Sequence, residues 1–245
     1  MLNIHYDADT IRSKRALLRQ EMLLQSDNVK NGNFEALSPA DLELLFLLYN
    51  EIFFCGFFRD LYGGRMKFTL SHQFVRSAGL TRFPRNFFSL PPENRVIEIK
   101  ISLNHLAAYD LTQREKPVAG LPTSDRLDAL LLVFEHELCH AAEFLLYGTS
   151  SCRGKRFKAL SGCIFGHKSS VHGLPSRPEV NALRYGLAAG DAVRFEYNGR
   201  TLTGTVARIN KRATVMAEAR KGRYSDQSGR RYSKYLVPLE QIQKL

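Results

Sequence analysis

The stretch FEHELCHAAEFLLYG, residues 134–148, constrains this chain more than any other. Apolar residues at 127, 130, 131, 134, 138, 141 and 145 recur at helical spacing, so the segment is expected to be a helix with one face in a core. His136 and His140 are four residues apart, about one turn, on a different face from Leu138. That face looks into a cleft or into solvent. Thr123 or Ser124 is placed to cap the start of this helix, and Gly148 offers a left-handed stop.

Two imidazoles at this spacing can bind one Zn²⁺, with Glu137 directly after the first of them. Zinc lowers the pKa of water and polarises a carbonyl, and Glu137 is the candidate base that takes the proton. This is the chemistry of peptide hydrolysis without a covalent intermediate. The plainer reading is a pair of surface histidines on an amphipathic helix.

The rest of the chain reads as an α+β protein. Residues 1–37 are a polar extension with a short exposed helix around ALLRQEMLL. SPADLELLFLLYNEIFF opens a core helix, with Ser38 as N-cap, Pro39 at the first position and Asp41 at the positive end. RMKFTLS and RVIEIKIS alternate polar with apolar residues and predict two or three strands of a small mixed sheet. Cys139 is expected to be packed, and Cys55 and Cys163 have apolar neighbours that predict burial. Residues 176–189 have loop-forming character and read as a linker. From residue 190 several short strands follow, with Asn198-Gly199 as a hairpin turn, and predict a small β-barrel over 190–245.

HELCH, together with LYNEIFF, MKFTLSHQFVRSAGLTRF and IEIKISLNHL in that order, resembles the SprT-like zinc metalloproteases, which include the Spartan proteases. The resemblance covers residues 38–175. It implies a zincin-like domain, a Zn²⁺ cofactor and DNA-bound or DNA-crosslinked proteins as substrates. GDAVRFEYNGRTLTGTVARINKRATV is similar to the SH3-like barrel attached to some bacterial members.

The family's third ligand is usually a histidine followed by glycine, two variable residues and an aromatic. Here SCRGKRFKAL keeps Gly154 and Phe157 but has Arg153 at the histidine position, and arginine does not ligate zinc. Cys152 is one candidate to complete the site; His167 and His172, brought in by a folded-back loop, are others. With no third ligand, the chain would be a catalytically weak or silent SprT-like protein acting as a nucleic-acid or protein binding module. Glu143, three residues after His140, could support a ligand imidazole, although an exposed helix charge is the simpler reading.

The net charge of +11 is uneven, since residues 190–245 carry twelve Lys or Arg against five Asp or Glu. Arg208, Lys211, Arg212, Arg230 and Arg231 are the candidate contacts to nucleic acid, with tyrosines 224, 232 and 235 among them. No apolar run is long enough for a membrane span, and four cysteines without a CxxC pair fit a reducing compartment. The expectation is a cytoplasmic protein, nucleoid-associated through its basic end.

Overall fold

The computed structural model describes residues 4–245, which divide into two units with the boundary in the chain between Leu174 and Pro175. The fold is mixed α+β. In the first unit, α1 (Ala8–Gln25), α2 (Pro39–Ile52) and α3 (Phe57–Leu61) precede three strands, β1 (Arg65–Ser71), β2 (Gly79–Arg82) and β3 (Val96–Ser102). Helices α4 (Leu103–Ala107), α5 (Arg126–Tyr147) and α6 (Lys155–Phe165) follow.

The sheet order is β1-β3-β2, with β1 parallel and β2 antiparallel to the central β3. Ile97, Ile99 and Ile101 point from β3 into the core, as the period of two requires. Leu130, Leu131, Phe134 and Leu138 of α5 are fully buried in the same core. Each such side chain contributes about 1.5–3 kcal/mol relative to exposure. The short edge strand β2 lies against α5 and so brings its inward residues, Gly79 and Thr81, to the face that carries Glu137.

Local chemistry explains the helix ends. Ser38 and Asp41 form a reciprocal capping box at α2, with Pro39 inside it. Gly148 ends α5 at φ 73°, a left-handed conformation that strongly favours glycine. The N-cap of α5, however, is Asp125 rather than Thr123 or Ser124: its carboxylate accepts from the Asp128 amide at 2.9 Å and also receives Arg19 at 2.5 Å.

The N-terminal segment differs from the expected exposed helix. Leu18 and Met22 are fully buried, Arg19 pairs with Asp125 and Asp128, and Arg15 pairs with Glu135. Its buried apolar positions, and Arg15 and Arg19 among its cations, have partners distant in sequence, which is why a local pattern gave no sign of docking. Cys139 is buried, whereas Cys55 is exposed and Cys163 only half-buried, contrary to expectation.

In the second unit, α7 (Arg177–Tyr185) occupies most of residues 176–189, so this stretch is not the expected linker. Ser176 and Glu179 form a capping box, Pro178 sits in the first turn, and Ala182 and Tyr185 pack on the unit's core. Six strands follow: β4 (Ala192–Tyr197), β5 (Arg200–Ile209), β6 (Arg212–Glu218), β7 (Tyr224–Ser225), β8 (Arg231–Pro238) and β9 (Ile242–Lys244). Asn198 and Gly199, at φ 50° and 73°, make the two-residue turn between β4 and β5.

This sheet does not close into the expected barrel. Its order is β7-β8-β6-β5-β4-β9, and no ladder joins the two-residue β7 to the three-residue β9. It must nevertheless curl strongly. Four ladder steps separate β8 from β9, about 19 Å across a flat sheet, while the short Leu239–Gln241 connection spans at most about 14 Å. Val193, Phe195, Val206, Val215 and Val237 fill the concave side.

Candidate metal centre

His136 and His140 project from α5, and the turn after Gly148 returns Cys152 to them. The candidate ligand atoms of these three residues all lie within 4.8 Å of one another. Tetrahedral zinc with two nitrogens and one sulfur holds its ligand atoms about 3.4–3.6 Å apart, so a closure of roughly an ångström completes the set. The donor chemistry also fits. Burial, and for His136 the neighbouring His140, depress the imidazoles to about 3 at His136 and about 4 at His140, so both are neutral donors at pH 7.

The orientation of His140 is fixed from behind. Its Nδ1 lies 2.7 Å from the Ser150 hydroxyl, which donates its single proton to Glu143 at 2.6 Å. Ser150 must therefore accept from His140, which makes His140 the Nδ1–H tautomer and leaves Nε2 open for a metal. Glu143 also accepts from the Ser151 amide at 3.0 Å and is buried, so it is not an exposed helix charge. That bond ties the Cys152 turn to α5. Phe157, buried at the start of α6, packs its ring 4.8 Å from His136 and 4.4 Å from His140.

Glu137 is buried on the cleft side of α5. Burial raises its carboxyl to about 7, against the opposing effect of Thr81, whose hydroxyl donates to Oε2 at 2.7 Å and lies 3.0 Å from the Glu137 carbonyl. A group held near 7 is matched to proton transfer at neutral pH. Gly79 leaves no room for more: a Cβ there would lie 2.6 Å from Glu137 Oε1.

The other candidate ligands lie elsewhere. His167 is buried and its Nε2 pairs with Glu135 Oε2 at 2.8 Å, in a cluster with Arg15 and Tyr49. Glu135 precedes His136 but turns to Arg15 of α1 and Tyr49 of α2. Burial pushes its carboxyl up, and Arg15 and His167 more than offset that, leaving it below the ordinary range. His172 lines the cleft, but its Nε2 is 2.9 Å from the Arg76 carbonyl and it is not in the ligand cluster. Arg153 is exposed beside Cys152.

The three candidate ligands and Glu137 border a cleft of about 560 Å³. Phe157 is the aromatic that the SCRGKRFKAL spacing marked, whereas Thr81, Gly79 and Ser150 border the candidate site without a motif in the sequence to mark them.

The candidate nucleic-acid contacts in the second unit, Arg208, Lys211, Arg212, Arg230 and Arg231, are all exposed, and Arg230 also pairs with Asp226 at 3.1 Å. Arg208 lies opposite Thr214 on the convex face, which also presents Arg194 and Lys234. Tyr235 packs on the core, while Tyr224 is 45% exposed and open to contact. No protein-family model matches the chain, and no curated protein or solved structure matches it either.

Proposed function

We propose that the chain is a zinc-dependent metallopeptidase of the SprT-like kind, with a zincin-like first unit. The observation that supports this most is the convergence of His136, His140 and Cys152 beside a buried carboxylate held near 7. Those three residues would hold Zn²⁺, which supplies electrophilic polarisation of a scissile carbonyl and a lower pKa for water. Glu137 accepts the proton at its carboxylate and returns it to the leaving amine. Thr81 keeps that carboxylate in place, Ser150 and Glu143 hold the His140 tautomer, and Phe157 fixes both imidazole planes.

The basic second unit recruits the enzyme to nucleic acid, which makes DNA-bound or DNA-crosslinked proteins the substrates. Its convex face carries exposed cations on successive strands, the arrangement that tracks phosphates without reading sequence. Replacing Arg208 and Lys234 with Glu should lower DNA affinity and flatten its salt dependence; unchanged affinity at every salt concentration would refute recruitment through this face. The alternative, a silent binding module, draws its support from Arg153 at the family's histidine position, and the proximity of Cys152 weighs against it. Glu137→Gln separates the two readings: zinc should stay bound while peptide hydrolysis falls by about 10²–10⁴-fold. Hydrolysis at the wild-type rate in that variant would refute the mechanism.

A further inference from the structure

The cleft has a chemical character beyond its candidate metal centre. Its interior is apolar, bordered by Leu80, Phe83, Val118, Val133 and Val171, and Val171 remains 71% exposed. An uncovered valine at the mouth of a cleft is a contact site waiting for an apolar partner.

The exposed charge on the two main wall segments has one sign. The walls come mainly from two segments, residues 76–83 and 150–172. No Asp or Glu occurs between Asp60 and Glu93, and none between Glu143 and Glu179. Arg76 lines the cleft, Arg153 adjoins Cys152, and the amide of Lys168 donates to the carbonyl of Ala119, another wall residue. All three cations are exposed, and among the described residues none has a carboxylate within ion-pair distance. The two carboxylates of α5 beside the candidate ligands, Glu137 and Glu143, are buried and engaged by hydroxyls rather than by these cations.

We propose that the cleft selects an extended polypeptide segment with an apolar residue seated at the metal centre and acidic residues on either side. A basic segment would meet like charge at Arg76, Arg153 and Lys168, a repulsion that discriminates as effectively as the matching attraction. A polynucleotide fits less well, because the cleft interior offers mainly aliphatic walls where stacking would need exposed aromatic faces. The inference rests on reading the cleft as a peptidase site.

The test uses full-length, zinc-loaded protein and three labelled peptides of one length with a central Leu flanked by Glu, Ser or Lys. Binding is measured by anisotropy on Glu137→Gln, so that it does not depend on turnover, and cleavage is measured on the wild type. The Glu-flanked peptide should bind about tenfold more tightly than the Ser-flanked one at low salt. That advantage should shrink with added salt, and it should vanish when Arg76, Arg153 and Lys168 are together replaced by Ser. Equal or tighter binding of the Lys-flanked peptide overturns the proposal. So does a single-stranded oligonucleotide that binds with the same dependence on the three cations while the Glu-flanked peptide does not bind. Selective binding of the Glu-flanked peptide without cleavage by the wild type would uphold the selectivity and refute the peptidase reading instead.

Discussion

Gly79→Ala is a one-methyl test of how the base is held. The backbone at Gly79 is not left-handed, so space alone opposes a side chain there. The added Cβ would lie 2.6 Å from Glu137 Oε1, 2.7 Å from Cγ and 2.9 Å from Cδ, against the 3.5–4.0 Å or so at which carbon atoms attract. Glu137 must move by about an ångström, or β2 must lift away from α5; overpacking of this kind costs about 1–3 kcal/mol. A catalytic group displaced by about 1 Å loses about a hundredfold in rate. The three atoms nearest to the new methyl all belong to Glu137. The assay pairs kcat/KM for a peptide substrate with zinc per chain. The expected result is a rate about a hundredfold lower with zinc content unchanged. A variant with the wild-type kcat/KM would refute the reasoning, and one that lost its zinc would show that Gly79 supports the ligands as well as the base.

Two further outcomes follow from buried charge. Arg15→Ala leaves the Glu135 carboxylate, fully buried, with only Tyr49 and His167 as partners, and should destabilise the first unit by about 3–5 kcal/mol, a fall in melting temperature on the order of 10 °C. The metal-free protein should lose stability as pH falls from 6 to 5. There the unfolded chain protonates His136 and His140, which stay neutral when folded, whereas the folded chain alone protonates Glu137. The depressed imidazoles give stability that is lost on acidification, and the raised carboxyl partly opposes the loss. The net contribution of these three groups is one proton, about 1.4 kcal/mol per pH unit. Glu137→Gln removes the opposing group and should add about that much again to the slope in chelator-treated protein, measured by urea unfolding at each pH.

The sequence and the structure agree most where one segment carries the whole signal. The α5 helix was legible because its apolar face, its two histidines and Gly148 lie within a single run. The mixed sheet was legible because RMKFTLS and RVIEIKIS alternate cleanly, and the β4–β5 turn because Asn-Gly favours positive φ at both positions. What stayed hidden depends on long-range pairing. The docking of α1 rests on Arg15 meeting Glu135 and Arg19 meeting Asp125, contacts more than a hundred residues apart in sequence. Gly79 and Thr81 gained their meaning only when edge strand β2 was laid across α5. Among Cys152, His167 and His172, ligand chemistry alone kept three candidates open; the Glu135 cluster accounts for His167, and the Ser150–Glu143 contacts bring Cys152 to the histidines. The barrel expected from strand spacing is instead an open, curled sheet, because strand count does not fix whether the two edges meet.

The central claim is that His136, His140 and Cys152 together hold one zinc ion. It is tested most directly by metal stoichiometry combined with cobalt substitution, in which a thiolate ligand produces a sulfur-to-cobalt charge-transfer band in the near ultraviolet. The wild type should hold one metal ion per chain and show the band. Arg153→Ala should keep both, and Cys152→Ala should lose the band and most of the affinity. A wild-type protein that binds no metal, or one whose single ion is undisturbed by Cys152→Ala, would contradict the account.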